Sequence, residues 1–279
     1  MEFLSAKHYV CNRGGLCLCL ILILALACPH VIYAQDKNWS SGTAYSLNKG
    51  QWETGLFQPL RYGLSDSRDI ATHPFFAVII PNLTVKQTWK NEINGWTIAN
   101  RHSAYYPTPL LRSITGSGKF KIVSGQFEFP NLISINSDIL ATKSIGAGLF
   151  TAKVGLMLGL GGSDLSSLST IDVPLAYPRL AVYYNGWGVR LGADYIKTLA
   201  GKWSGLIDGD LFLYPGSNNG LFYESKILLI WTNNSQLRIM AGYKITYGKY
   251  PFGSHWQIVP PQLPTLPPGL PMIDIQISW

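Results

Sequence analysis

The chain ends on the stretch Ile273-Asp274-Ile275-Gln276-Ile277-Ser278-Trp279, in which apolar and polar side chains alternate up to the last residue. A period of two places successive side chains on opposite faces of a β-strand. The stretch therefore predicts a strand with one apolar and one polar face. The apolar face of such a strand needs either a protein core or lipid to cover it, and the rest of the chain decides between the two.

The first 34 residues have the composition of a secretory signal peptide. Lys7 and Arg13 form a positive amino-terminal region, and residues 16–27 form an apolar run. A cut between Ala34 and Gln35 follows a small residue, as signal peptidase requires. We therefore expect a cleaved signal peptide over 1–34 and secretion through the inner membrane.

Two other interpretations of this segment remain open. Ala27-Cys28 has the small residue and cysteine of a lipoprotein site, although Pro29 makes a poor match. A retained membrane helix would need about 20 apolar residues, and the run is shorter. The four cysteines of the chain lie in this segment, so a chain cut at Ala34 has no disulfide and no thiolate metal site.

The composition is apolar without offering a membrane-spanning helix. Hydrophobic residues make up 47% of the chain and charged residues 13%. The longest apolar run after the signal region, 75–80, is ended by Pro81. The net charge of +7 is spread along the chain, and without a cluster of basic residues we expect no nucleic-acid partner.

Alternating segments and turn signals predict about twelve strands, or ten if 70–80 and 205–214 are not strands. Asn94-Gly95 and Asn185-Gly186 are dipeptides typical of tight hairpins. Tryptophan and tyrosine residues cluster near the ends of the segments, which is typical of membrane interfaces. The predicted strands are 51–62, 70–80, 83–89, 96–106, 132–143, 150–160, 179–184, 187–198, 205–214, 221–231, 236–247 and 273–279.

Taken together, the signal peptide, the strand pattern and the carboxyl-terminal strand resemble those of bacterial outer-membrane β-barrel proteins of the porin-like class. The resemblance implies an all-β fold, a transmembrane antiparallel barrel, periplasmic termini and a place in the outer membrane. It also implies that outer-membrane lipid and the barrel-assembly machinery are partners. The assembly signal would comprise Ile273, Ile275, Ile277 and Trp279, with Trp279 in place of the more common phenylalanine. The expected organisation is a signal peptide over 1–34, a periplasmic lead-in over 35–50 that is disordered over 36–42 and turns at 48–50, and the barrel over 51–279.

Charged residues within the predicted strands share the face opposite to the apolar one, so we expect them to line the lumen. A charge at mid-membrane on the lipid side would cost about 2–4 kcal/mol for arginine or lysine. The lining could form a mildly basic pore that favours anions, or arginine–carboxylate pairs could fill it. The predicted lumen residues are Glu53, Lys86, Arg101, Lys153, Arg190, Asp194, Arg238, Lys244 and Asp274.

A catalytic site is not predicted. His102 and Ser103 are adjacent in a strand and point to opposite faces, so they cannot form a dyad. His73 with Ser103 is the remaining serine–histidine pair, and no spacing singles it out. The three histidines after the signal region show no metal-ligand spacing, and we expect no cofactor and no metal.

Two connections stand out by their length. We expect 107–131 to be a periplasmic or lumen-folded segment with a short helix over 108–115. The proline-rich residues 248–271 are expected to form a stiff outer loop. The main hypothesis is a passive or weakly selective channel for small solutes. The alternatives are a plugged barrel that acts as an anchor or adhesin through its outer loops, and a lipid-active enzyme.

Overall fold

The wall of the molecule is a single closed antiparallel β-barrel. The computed structural model describes residues 39–56, 58–74, 77–117, 121, 124–163, 165, 181–215, 220–234, 236–250, 253–257 and 270–279. The predicted signal peptide and the cut between Ala34 and Gln35 lie outside these residues. The strands are β1 Trp52–Gly55, β2 Leu60–Ser65, β3 Arg68–Thr72, β4 Asn82–Thr88, β5 Thr97–Tyr105, β6 Ile133–Ile145, β7 Gly148–Leu160, β8 Trp187–Ala200, β9 Trp203–Leu213, β10 Leu221–Asn234, β11 Leu237–Tyr250, β12 Gly253–Gln257 and β13 Leu270–Ser278.

Twelve of these strands form the ring, because each pairs with its neighbour from β1 to β11 and β13 pairs with both β11 and β1. The ring closes where Glu53 pairs with Ser278 and Thr54 pairs with Ile277. Strand β12 continues the ladder of β11 beyond the part that pairs with β13. The carboxyl-terminal strand therefore closes the barrel, and the predicted all-β antiparallel barrel of twelve strands is confirmed.

The two ends of the barrel differ in their connections. One end, called here the turn end, carries the tight turns at 66–67, 146–147 and 201–202 together with the last residue of the chain. The opposite end, called the loop end, carries the longer connections between β5 and β6, β7 and β8, and β11 and β13. Hence the segment 107–131, predicted to lie in the lumen or on the side of the termini, begins and ends at the loop end.

Two helices are present in the described part of the chain, α1 Thr108–Ile114 and α2 Ala181–Asn185. Helix α1 confirms the helix predicted after Pro107. Helix α2 replaces the strand predicted over 179–184, of which 179–180 lie outside the described residues. Three consecutive residues, 181–183, are buried, and an alternating strand cannot bury consecutive side chains on one side. No helix among the described residues is long and apolar enough to cross a membrane.

The predicted strands of the first quarter of the barrel are wrong in their boundaries. Residues 51–62 contribute to two antiparallel strands, β1 and β2, because the chain reverses direction before Pro59. The predicted loop 63–69 contributes to β2 and β3, which pair across a tight turn. The predicted strand 70–80 ends at Thr72, since Pro74 has no amide hydrogen for a ladder. The structure has one strand more than predicted in this region and one strand fewer than predicted at α2. These two errors cancel, so the predicted total of twelve is correct although both regions were predicted wrongly.

The predicted outer loop 248–271 is shorter in the structure, because β11 continues to Tyr250 and β12 and β13 extend into the range. Residues 258–269 lie outside the described part. At the other end of the chain, residues 39–47 belong to the interior of the barrel. The disorder predicted over 36–42 is therefore wrong for residues 39–42, because Arg61 and Lys86 of the inner wall donate hydrogen bonds to Ser40.

Candidate functional site

The lumen contains residues 39–47, which we call the N-terminal segment. The Lys86 ammonium group donates hydrogen bonds to the carbonyl oxygens of Ser40 at 3.0 Å and Thr43 at 3.3 Å, and to that of Tyr45. Ala44 and Leu47 are fully buried. Because one buried side chain binds three carbonyl groups of an irregular backbone, Lys86 holds this segment in a defined path.

A group of four charged residues on β1 to β4 surrounds this contact, and we call it the anchor cluster: Glu53, Arg61, Asp69 and Lys86. Arg61 donates to Glu53 at 2.9 Å and to Asp69 at 2.8 Å. The same Asp69 oxygen, Oδ2, also accepts the backbone N–H of Leu47 in the N-terminal segment, at 3.2 Å. The four side chains are almost fully buried, so each charge depends on its partners for solvation.

A larger group of eight, the main cluster, crosses the lumen at mid-height: Arg101, Asp138, Lys153, Arg190, Asp194, Asp208, Asp210 and Lys226. Lys153 lies at its centre, with carboxylate oxygens of Asp194 at 2.6 Å, Asp208 at 2.7 Å and Asp210 at 3.0 Å from its nitrogen. A single ammonium group thus joins three carboxylates that would otherwise repel one another.

Arginines connect the main cluster to the neighbouring strands. Arg190 donates two hydrogen bonds to Asp210, at 3.0 and 2.7 Å, in the bidentate geometry that fixes both groups. Arg101 donates two to one oxygen of Asp138, at 3.0 and 2.7 Å. Each arginine thereby ties together two adjacent strands of the wall.

Glycines in the wall make room for this cluster. A Cβ atom on Gly155 would lie 2.1 Å from Oδ1 of Asp138, and one on Gly192 would lie 2.0 Å from Oδ1 of Asp210. Both carboxylates lie directly over glycine backbone, which only the absence of a side chain permits. A glycine on the inner face of a strand can either leave open space or make room for a large neighbouring side chain. Gly155 and Gly192 make room for large side chains.

The nine predicted lumen residues are buried or half-buried. Six of them belong to the two clusters, which the structure brings together. Lys244 pairs with Glu224 at 2.7 Å, and Asp274 accepts a hydrogen bond from Gln276 at 2.6 Å. Arg238 donates to Gln276 and lies against the ring of Trp39. None of the nine reaches the outer surface of the barrel.

Sequence reasoning missed six members of the clusters. Arg61 and Asp69 fell in stretches that were assigned the wrong boundaries. The other four lie in correctly predicted strands, at the alternating positions whose side chains point into the lumen: Asp138, Asp208, Asp210 and Lys226. With them the anchor cluster has two cations and two carboxylates, and the main cluster has four of each. Both clusters are therefore neutral, and their ion pairs do not give the lumen the basic character that was one of the two predictions.

A cluster of buried apolar residues lies inside the barrel at the loop end. Helix α1 contributes Leu111, helix α2 contributes Val182 and Tyr183, and the inner wall contributes Met157 and Phe222. The Tyr183 hydroxyl donates to Ser134 at 3.1 Å, and burial raises the pKa of this tyrosine. The connections at this end thus fold inward, where their apolar residues pack on one another.

Two cavities remain beside the N-terminal segment, and we call them the turn-side cavity and the loop-side cavity. The turn-side cavity has a volume of about 350 Å³ and is lined by Trp39, Asp194, Lys226 and Arg238 among others. The loop-side cavity has a volume of about 300 Å³ and is lined by both clusters. Ser41, Gly42, Gln58 and Lys226 line both, so the N-terminal segment lies where the two spaces meet.

The structure places the serine and histidine side chains considered for catalysis on β5 and at the end of β3. His102 Nδ1 lies 3.0 Å from the Ser137 hydroxyl in an exposed pair, whereas Ser103 is buried and accepts a hydrogen bond from Thr84 at 2.9 Å. His73 is buried next to Pro74 at the end of β3. Within the described residues, no group of three histidine, cysteine or acidic residues has the arrangement of a metal site.

The closed ring with charged residues inside and apolar residues outside has the organisation of an outer-membrane β-barrel. Among solved structures, the chain is similar to the COG4313 outer membrane channel from Pseudomonas putida F1. The identity is 12%, the TM-score is 0.45, and the match covers 86% of this chain and 97% of that one. It is also similar to OmpT, an outer membrane protein of Vibrio cholerae, with 8% identity, a TM-score of 0.41, and 79% and 64% coverage. No protein-family profile and no curated protein matches the sequence.

Proposed function

We propose that this protein is an integral outer-membrane barrel that forms a narrow channel for small solutes, restricted by its own N-terminal segment. The observation that carries the proposal is the position of residues 39–47 where two cavities meet inside a closed barrel. Lys86 is the main contact that keeps the segment there. Solutes would pass through the spaces beside the segment, or through a wider lumen when it is displaced.

The outer surface supports insertion into a membrane. Large apolar residues such as Ile139, Val154 and Leu191 are exposed along β6, β7 and β8. A surface of this kind is favourable against lipid and unfavourable against water. Exposed Trp89, Trp203 and Trp279 lie at the turn end, where indole rings suit a membrane interface.

The carboxyl-terminal strand presents its four signal residues to the outside. Ile273, Ile275, Ile277 and Trp279 are exposed, and the residues between them are buried. This arrangement supports recognition by the barrel-assembly machinery before the strand closes the ring. In this proposal the turn end faces the periplasm, because it holds the short turns and the carboxyl terminus.

Planar-bilayer conductance of purified protein tests the proposal. In Lys86→Met, three carbonyl contacts of the N-terminal segment are lost, so the segment should leave its path and the conductance should rise several-fold. Lys143→Met is the matched control, because the Lys143 ammonium group lies at the turn-end rim, near the Asn94 carbonyl oxygen and the Trp96 ring, and does not contact the N-terminal segment. Its conductance should equal that of the wild type.

Heat-modifiable gel mobility would show that both variants are folded. If Lys86→Met does not fold, deletion of residues 35–47 is the second variant. Equal conductance in the wild type, Lys86→Met and the deletion variant would contradict a restricting role for the segment. Absence of conductance in all three would contradict the channel itself.

The second candidate is a closed barrel that acts as an anchor or adhesin through its loops. The apolar cluster at the loop end favours it, because Leu111, Val182 and Phe222 pack inside the wall and occupy that end. A barrel of this type would show no conductance in any of the three proteins. The same recordings therefore separate the two functions.

A further inference from the structure

The turn-side cavity has one apolar wall. Ile196, Leu206, Leu228 and Met240 line it from β8 to β11. These four residues lie between the main cluster and the turn end. Their side chains point into the lumen, in the same direction as the charged side chains that lie nearer the loop end in the same strands. An apolar surface facing a polar lumen is unfavourable in water, so it indicates a ligand with an apolar body.

At the turn end of this wall lies Arg238, the inward residue next to Met240. Its side chain is only 5% exposed, and it donates one hydrogen bond from Nε to Gln276. Among the described residues no carboxylate lies within 4.0 Å of the guanidinium group. A buried charge of this kind is costly unless an anion compensates it.

The nearest acidic groups are already engaged. Glu53 accepts from Arg61 at 2.9 Å, and Asp274 accepts from Gln276 at 2.6 Å. Both act on Arg238 electrostatically, but the terminal nitrogens of the guanidinium donate to no described residue. These N–H groups are available to a carboxylate that enters the cavity.

A second unused donor lies beside the first. The ring of Trp39 packs 4.5 Å from Cζ of Arg238, and its indole N–H is buried with no acceptor among the described residues. Buried donors are nearly always bonded, so a pair without acceptors indicates a missing oxygen ligand. Trp39 belongs to the N-terminal segment, so the ligand would contact the segment and the wall at once.

We propose that Arg238 and Trp39 bind the carboxylate of a short-chain aliphatic acid whose hydrocarbon part lies on Leu228 and Met240. The volume of about 350 Å³ is within the usual range of small-ligand sites and would hold an acid of about six carbons. The inference deepens the proposed function and rests on it for the route by which the acid reaches the cavity. It names the class of solute, a monocarboxylate with an apolar chain.

Titration calorimetry on the full chain in detergent, with hexanoate as the probe, tests the site. Arg238→Gln should weaken hexanoate binding at least tenfold, because a charge-assisted pair is lost. Trp39→Phe keeps the ring and removes the N–H, and should weaken binding about threefold to tenfold. Arg68→Gln is the matched control, since Arg68 is exposed and bonds only Gln87, and its binding should be unchanged.

Two further probes separate the head group from the chain. Hexanamide, an uncharged analogue of the same length, and acetate, a carboxylate without the chain, should both bind at least tenfold more weakly than hexanoate. Met240→Gln should weaken hexanoate binding while leaving that of acetate unchanged. Equal binding of hexanoate and hexanamide, or of hexanoate and acetate, would overturn the assignment.

Folding of each variant is checked by heat-modifiable mobility, and if Arg238→Gln does not fold, Trp39→Phe carries the test. Hexanoate binding that is the same in the wild type, Arg238→Gln and Trp39→Phe overturns the site. The site and the channel fail separately. If hexanoate binding depends on Arg238 but the protein shows no conductance, the binding site is supported and the channel is contradicted. If the protein conducts but does not bind hexanoate, the binding site is contradicted.

Discussion

The two halves of the barrel differ in height and in what holds them together. Strands β1 to β5, called here the short wall, have four to nine residues, whereas β6 to β11, called the tall wall, have eleven to fourteen. The tall wall has long unbroken ladders, for example thirteen residue pairs between β6 and β7. The ladders of β1 have three residue pairs with β13 and two with β2.

The short wall compensates with buried ion pairs and with the N-terminal segment. Three members of the anchor cluster, Glu53, Arg61 and Asp69, lie on β1, β2 and β3, where the ladders are shortest. The segment that Lys86 holds packs against the same strands from inside. The comparison shows that the N-terminal segment, which we propose restricts the lumen, packs against the half of the barrel that has the shortest ladders.

The largest expected effect is the loss of Arg61. In Arg61→Met, Glu53 and Asp69 stay buried without their cation, so the free energy of unfolding should fall by about 3–5 kcal/mol. Urea titration of the refolded protein in detergent measures it. Arg68→Met, on the exposed face of the same wall, should change it by less than about 0.5 kcal/mol. A similar small loss in both variants would show that the short wall does not depend on the anchor cluster.

A medium effect is expected in the tall wall. In Gly192→Ala, the new methyl group meets Asp210 and Lys153, which are pinned by their partners, so the protein should lose about 1–3 kcal/mol. Gly209→Ala is the matched control on the neighbouring strand, because its Cβ would meet only ordinary contacts at 3.6 Å or more. The same titration compares them. If Gly192→Ala is as stable as its control, the main cluster is not tightly packed on the wall.

The smallest effect concerns the contact between the N-terminal segment and the tall wall. Thr142 accepts the backbone N–H of Ala44 at 2.8 Å and lies 2.9 Å from the hydroxyl of Thr151. Thr142→Val keeps the shape and removes these bonds, so we expect a loss of about 0.5–1.5 kcal/mol. Conductance should stay at the wild-type level, unlike that of Lys86→Met. A rise comparable to that of Lys86→Met would show that both walls hold the segment equally.

The strands of the tall wall could be predicted to within about three residues at each boundary, and those of the short wall could not. In β7, for instance, Phe150 to Leu160 alternates without interruption, and the strand lies where this pattern places it. In the short wall, strands of four to six residues are too short to show a period, and Pro59 and Pro74 interrupt the stretches. Local patterning is informative only where a strand is long enough to repeat it.

The candidate site shows the same division. Parity within long strands identified residues such as Lys153 and Arg190 as inward, and the same rule applied to Asp138 and Asp208 would have found them as well. No local signal in residues 39–47 distinguishes a lumen segment from a disordered lead-in. Its contacts with the wall are made with residues 21 to 199 positions away along the chain.

The sequence by itself determined that this chain is a barrel with an apolar outside and a charged inside, because alternation along a strand is a local property that each segment carries in its own residues. The tertiary structure alone decided which charges pair, where the N-terminal segment lies and that Arg238 and Trp39 share a cavity. These features depend on the order and stagger of strands around a closed ring, which bring together residues that no local pattern connects. The contacts between residues inside the barrel therefore depend on closure of the ring, whereas the strands of the wall follow from the periodicity of the sequence.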